Sequence, residues 1–359
     1  MVLSMMSDPA LSSSDNTEIL DHLSNLATAK GQPFSGVFEL TKRCNLRCGM
    51  CYVCQPTSSA HKKELAPEEW IAIAKTTAER GMVFLQLSGG EIFSRPDFFS
   101  IYLPIYEMGF HIALLTNGTL INAHTAEVLS SHPPHSIDIT VYGASEATYE
   151  KVTGSARAFQ QCLRGIDHLL AAGLNCLQLK TTLTQQNYHE SRQLSELAAS
   201  RNLTMTQSWF LVQHRDEQNA NLQSMRLSPE QVLEVEKTIP PAESKPAEAC
   251  EEAFRCSAAK SSFCITPEGD LIPCSLMPSI RVNVLDCGFD QAWQQLRDMA
   301  SQVQKSKSCN PGVCPYFEEC PWCPARAYIE TGSYTDPSAV FCSIAASRFF
   351  EKQKHLHDR

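Results

Sequence analysis

Leu40-Thr41-Lys42-Arg43-Cys44-Asn45-Leu46-Arg47-Cys48-Gly49-Met50-Cys51 decides how the rest of the chain is read. Its three cysteines are spaced C-x3-C-x2-C and follow an apolar, strand-like segment, Gly36 to Thr41. Three thiolates this close suit three irons of a cubane and leave the fourth iron open to a small molecule. A structural zinc knuckle competes with that reading. Zinc is closed by four ligands, and Cys54, spaced C-x2-C from Cys51, offers a fourth thiolate.

A second signal lies one strand later. Val83-Phe84-Leu85-Gln86-Leu87-Ser88 reads as a buried strand that ends in Gly89-Gly90-Glu91. A glycine pair permits close backbone approach to a ligand. A carboxylate beside it can accept charge-assisted hydrogen bonds from an ammonium. Further strand-like runs cover His111–Thr116, Ser136–Tyr142, Cys176–Leu183 and Leu203–Val212. Helical patterns fall between them, at 67–75, 97–108, 124–131, 158–172 and 190–201. Strands alternating with helices of this length imply a parallel sheet. The expected fold class is α/β: a partial (β/α)6, TIM-like barrel followed by a small Cys-rich domain. In such barrels active sites gather at the carboxyl ends of the strands, where the Cys loop, Gly89-Gly90-Glu91 and Thr116-Asn117 all fall.

These pieces together resemble the radical S-adenosylmethionine (SAM) enzymes. The likeness runs from Leu40 to Tyr52, through Leu87-Ser88-Gly89-Gly90-Glu91 and Thr116-Asn117-Gly118, to Ile139-Thr140-Val141-Tyr142-Gly143-Ala144-Ser145 and Thr153-Gly154. The resemblance implies that Cys44, Cys48 and Cys51 bind a 4Fe–4S cluster whose open iron chelates SAM. One electron then cleaves the sulfonium, and the released 5′-deoxyadenosyl radical takes a hydrogen atom from substrate. It also implies that Ser88, Gly89, Gly90 and Glu91 receive the SAM amino group and that the Tyr52 main chain meets the adenine. Thr116, Asn117 and Thr140 would lie against the cofactor, with Thr140 near the ribose or the methionine carboxylate. Ordinary strand-end turn chemistry is the alternative for these three. Met50 stands where family members often carry an aromatic residue.

The chain holds 16 cysteines, most of them beyond residue 249. Met1 to Asp15 lacks the basic start and apolar run of a signal peptide. No stretch is long and apolar enough to span a bilayer. The expected compartment is therefore the cytoplasm, where clustered thiols signal metal or redox work more than disulfides. The C-terminal order is Cys256, a turn at Gly269 leading to Cys274, then Cys309, Cys314, Cys320, Cys323 and Cys342. This is similar to the SPASM extension of peptide-maturing radical SAM enzymes. Two spacings depart from that pattern: four residues in place of two after Cys309, and two in place of three after Cys320. The resemblance implies two auxiliary clusters, one on Cys256, Cys274, Cys323 and Cys250, the other on Cys309, Cys314, Cys320 and Cys342. Cys264 competes with Cys250 but sits mid-strand in Ser262-Phe263-Cys264-Ile265. Two zinc ions are the alternative for this set. Cys162, Cys176 and Cys287, in helical, strand-like and loop contexts, are read as structural.

The expected division is an N-terminal extension (1–35), a barrel (36–212), a connector with one helix near 228–237 (213–248) and an iron–sulfur domain (249–359). A chain of 359 residues and 39.9 kDa suits one barrel plus a smaller domain. Net charge is −9 with no basic stripe, which argues against nucleic acid. The residues before the first strand hold one amphipathic helix, 18–30, but no independent leader-recognition domain. A peptide substrate would then need a separate delivering protein, unless the barrel reads it directly. An electron donor such as a flavodoxin or ferredoxin is implied by the resemblance.

SPASM relatives include maturases of sulfatases, of quinone-cofactor and mycofactocin precursors and of thioether peptides. In the sulfatase-maturating group an Asp base follows the cysteine matching Cys274. Here Ser275 stands in that place, and a serine alone is a poor proton acceptor. Glu39 shares the facing of Thr41 and is either a barrel-lining acid or a buried, hydrogen-bonded group. The leading reading is a peptide maturase. A dehydrogenase of a small molecule, such as a sugar or aminocyclitol, is the alternative. A non-enzymatic metal or electron-carrier protein would leave Gly89-Gly90-Glu91 unexplained.

Overall fold

A computed structural model describes residues 14–53, 63–215, 221–238, 253–320 and 322–357. Six strands build the barrel wall: β1 (Ser35–Glu39), β2 (Phe84–Ser88), β3 (His111–Thr116), β4 (Ser136–Thr140), β5 (Leu177–Thr182) and β6 (Thr204–Ser208). They pair in sequential order and all in parallel. Between them lie α2 (Pro67–Glu79), α3 (Phe98–Tyr106), α4 (Ala123–Ser131), α5 (Glu146–Thr153), α6 (Arg157–Ala171) and α7 (Ser191–Ala199), with α1 (Ser14–Lys30) before β1. The α/β expectation holds, and the sheet stays unclosed.

The strands obey a period of two. Phe38, Leu85, Leu87, Ile112, Leu114, Ile137, Ile139 and Leu179 are buried in one core with Trp70, Ile101, Leu129 and Ile166 of the helices. Register places a polar row on the opposite face: Glu39 beside Ser88, Asp138 beside Gln178, and Thr140 beside Lys180. Asp138 and Lys180 form an ion pair there.

The Cys-rich segment does not build a sheet of its own. β7 (Ser262–Ile265) pairs in parallel with β1, and β8 (Asp270–Ile272) and β9 (Val282–Asn283) continue antiparallel, giving the order β6-β5-β4-β3-β2-β1-β7-β8-β9. α8 (Leu222–Met225) and α9 (Pro229–Thr238) precede this ribbon. α10 (Val284–Ser301), α11 (Pro324–Thr331) and α12 (Ala339–His357) follow it. The ribbon therefore carries Cys264 and Cys274 to the β1 side of the barrel. Cys287 corrects the loop expectation: it lies in the first turn of α10, because Asn283 caps the helix by accepting the Leu285 N–H at 2.9 Å. The irregularity that hid this helix is Gly288, whose φ of 78° interrupts it.

Candidate active site

The backbone ladder between β1 and β2 runs past both strands and delivers the cysteine loop. Leu40 N–H donates to Ser88 O at 2.8 Å, Gly90 N–H to Thr41 O at 2.7 Å, and Glu91 N–H to Arg43 O at 2.8 Å. This explains the glycine pair. Gly89 has φ of 137°, and a Cβ there would lie 2.4 Å from Thr41 O. A Cβ on Gly90 would lie 2.2 Å from Arg43 O. The close approach expected toward a ligand is thus made, on the Cβ side, to the chain's own entry into the loop. Buried Arg95 braces the same entry, donating to Leu40 O at 2.7 Å and Leu65 O at 3.1 Å.

The loop is pinned from its other side by α5. Arg47 N–H reaches Thr153 O at 3.0 Å, and Gly49 N–H reaches Val152 O at 3.2 Å. Cys44, Cys48 and Cys51 are all half-buried. Burial, then the neighbouring Cys51 charge, pushes the Cys48 thiol up to about 12, against a lowering hydrogen bond from the Tyr142 hydroxyl. Bare thiolates here repel one another, so the deprotonated set needs cations among its sulfurs. That donor set, three thiolates at a strand-end mouth, fits an iron–sulfur cluster.

Glu91 is fully buried, and its carboxylate already has three donors. Oε1 accepts from the Thr116 hydroxyl at 2.7 Å and Phe93 N–H at 3.1 Å; Oε2 accepts from Asn117 N–H at 2.7 Å. In this structure the side chain ties β2 to β3. The reason is burial: a carboxylate with no water must take its donors from the scaffold. Thr116 is likewise engaged, donating to Glu91 and accepting Gly118 N–H at 3.0 Å. Asn117 Nδ2 donates to Asn45 Oδ1 at 3.0 Å and lies 3.8 Å from Cys44 Sγ, which puts it beside the cysteine loop. Ser88 and Thr140 are half-buried at the ends of β2 and β4. The Tyr52 carbonyl accepts Arg215 N–H at 3.2 Å.

Tyr52 leads to a buried polar cluster on the β1 side. Its hydroxyl hydrogen-bonds Ser275; burial and the Glu39 carboxylate raise its pKa. Glu39 and Arg215 approach to 2.7 Å with side chains 2% and 1% exposed. Burial opposes the guanidinium charge, but Glu39 more than offsets it and holds Arg215 above its usual range. Glu39 is therefore an ion-paired interior acid. Cys264 sits against the same pair, where burial and the Glu39 charge raise its thiol. Arg215 had no signal in the sequence. Tyr142 had one, a polar aromatic two residues past Thr140 and so on its face.

The C-terminal cysteines fall into two groups. Burial and the charge of Cys323, with Cys256 beyond, push Cys274 up to about 12; Cys256 is raised by burial and Cys323. Burial and then Cys342, Cys309 and Cys314 push Cys320 up to about 11. The first group is thus Cys256, Cys274 and Cys323, the second Cys309, Cys314, Cys320 and Cys342. Cys54 and Cys250 lie outside the described residues. None of the described cysteines forms a disulfide. Among the described residues, no three His, Cys, Asp or Glu side chains close on one point as a single metal ion requires. No described helix is long and apolar enough to cross a membrane.

Residues 38–198 match the model of the Radical SAM superfamily. An AdoMet-dependent heme synthase of Methanosarcina barkeri is 27% identical over 329 residues, 83% of this chain and 93% of that protein. Mycofactocin maturase MftC of Mycobacterium ulcerans is 25% identical over 311 residues, 80% of this chain and 82% of its own. The structure of Streptococcus suis SuiB bound to S-adenosylmethionine superposes with a TM-score of 0.66 at 15% identity, covering 92% of this chain and 83% of SuiB; this likeness is one of fold. Residues 38–198 are thus a radical SAM domain, and the chain is an enzyme with SPASM-type relatives. Its cofactors are SAM and 4Fe–4S clusters, the equipment of that family.

Proposed function

We propose that the protein is a radical SAM maturase that abstracts hydrogen from a peptide. Cys44, Cys48 and Cys51 hold the SAM-binding cluster. Cys256, Cys274 and Cys323, with Cys250, hold one auxiliary cluster; Cys309, Cys314, Cys320 and Cys342 hold the other. The observation that carries this reading is the docking of the three-cysteine loop at the strand ends, with two further cysteine groups in the C-terminal segment. Bound there, cluster and SAM supply a 5′-deoxyadenosyl radical. The protein's own part is position. The Gly89-Gly90 ladder fixes the loop, Asn117 lies beside Cys44, and Ser88, Thr140 and Tyr52 line the mouth around it. Abstraction would leave a substrate radical, and loss of one further electron, which an auxiliary cluster would accept, together with one proton would complete either a new double bond or a cross-link.

The peptide is supported by likeness to the mycofactocin maturase and by the fold shared with SuiB, which has also been seen bound to its precursor peptide SuiA. Likeness to the heme synthase favours a second reading, hydrogen abstraction from a small organic substrate. Compartment and electron donor follow the first reading: a cytoplasmic enzyme served by a flavodoxin or ferredoxin.

Anaerobic reconstitution tests the assignment. About twelve irons per chain fit three cubanes, and about four leave only one. Cys48→Ala should abolish 5′-deoxyadenosine formation under dithionite, whereas Cys320→Ala should retain uncoupled SAM cleavage. SAM cleavage at wild-type rate by Cys48→Ala would exclude the loop from the chemistry. Mass spectrometry of a co-expressed short peptide, seeking a loss of two hydrogens, separates peptide from small-molecule substrate.

A further inference from the structure

The two auxiliary cysteine groups meet at one cleft, and a cation stands in it. Cys320 and Cys342 of one group and Cys323 of the other line this cleft together with Arg326, Trp322 and Phe341. Arg326 lies on the first turn of α11, three residues after Cys323. Its guanidinium stacks 3.9 Å from the Phe210 ring centroid and 6.0 Å from that of Phe341. Those two rings are themselves stacked at 5.1 Å, so the cation is held on a rigid aromatic shelf.

We propose that Arg326 is the shared counter-ion of the two auxiliary clusters, setting the potential of both and lowering the repulsion between them. The inference rests on the auxiliary assignment made above. A 4Fe–4S cluster on four thiolates is an anion that gains a further negative charge on reduction, and its potential follows local charge and burial. A fixed positive charge between two such anions favours the reduced form of each. It also weakens the penalty that one reduced cluster imposes on the other. Partial burial lets the charge act with little screening. Burial pulls the guanidinium pKa down, while the cysteines of both groups hold it up, which places Arg326 within electrostatic reach of each. Arginine suits the position better than lysine, because a planar guanidinium stacks on aromatic faces and stays charged when buried.

The experiment is an EPR-monitored redox titration of the anaerobically reconstituted full chain as wild type, Arg326→Gln and Arg326→Lys, with iron and sulfide counted in each. Arg326→Gln should shift both auxiliary signals to more negative potential and leave the SAM-perturbable signal where it was. Arg326→Lys keeps the charge and should lie closer to wild type than to Arg326→Gln. Unmoved auxiliary potentials in Arg326→Gln with full iron overturn the proposal. Equal shifts in both variants, or loss of auxiliary iron from Arg326→Lys, overturn it in favour of a packing role. Wild-type protein with about four irons instead of twelve overturns the auxiliary assignment itself, and this inference with it.

Discussion

Replacing Gly90 by alanine should dislodge the cysteine loop without unfolding the barrel. The new Cβ would fall 2.2 Å from Arg43 O, 2.7 Å from Arg43 C and 3.0 Å from Lys42 O. All three atoms are backbone, so no rotamer change relieves the clash. The two segments must part by roughly an ångström to restore contact distance. Parting breaks the Gly90 N–H to Thr41 O and Glu91 N–H to Arg43 O bonds. Two lost bonds cost about 1 kcal/mol each, and buried groups left unmet add to this. A total of about 3 kcal/mol disfavours the assembled loop roughly a hundredfold. Gly109→Ala is the control: its φ is +81° but nothing lies within 4 Å of its Cβ, so it tests backbone strain without a clash. After anaerobic reconstitution, Gly90→Ala should bind about four irons fewer than wild type and lose the EPR response to SAM. Gly109→Ala should keep both. Gly90→Ala with full iron and an intact SAM response would show that the ladder does not set the loop.

Two further predictions concern buried charge. Arg215→Met strands the Glu39 carboxylate in the interior and should destabilise the protein by about 3–5 kcal/mol in anaerobic urea titration. The Glu39→Leu/Arg215→Met pair should recover most of that, since neither charge is left unpaired; failure to recover would mean that the pair's value is not electrostatic. In the apoprotein, Cys48 with its thiol near 12 should be mostly protonated at pH 8. The sign follows from the shift: a raised thiol pKa lowers the thiolate fraction, here roughly a thousandfold against an unperturbed thiol. Iodoacetamide should therefore label Cys48 far more slowly than an exposed thiol, with the rate rising as pH approaches 12, as read by peptide mass spectrometry. Labelling at the rate of an ordinary thiol would contradict the burial and charge argument.

What the sequence disclosed was local. Alternating apolar residues such as Leu85, Leu87, Ile137 and Ile139 marked strands because each fills one face of a pleated sheet. The three-cysteine loop was legible because ligand spacing is itself a local property. Pairing of β7 with β1 was not legible, since register between distant segments leaves no trace in either. The scaffold contacts of Glu91 were not legible for a related reason. A motif tells which residue stands beside a glycine pair but not where its side chain turns, and Thr116 and the Asn117 N–H claim it. The sorting of the C-terminal cysteines was not legible from spacing, and only resemblance to the SPASM order suggests it.

The polar cluster around Glu39 also bears on the missing base at Ser275. Tyr52 directly follows Cys51, and Ser275 directly follows Cys274; their hydroxyls meet, so one hydrogen bond joins the two cysteine sites. Glu39 is the buried carboxylate beside this bridge, yet it is held at 2.7 Å by Arg215. Removing that carboxylate would leave a buried cation alone. Glu39 therefore serves as a fixed charge that anchors Arg215, whose N–H in turn holds the Tyr52 carbonyl. The cluster thus keeps the exit of the cysteine loop in place against β7.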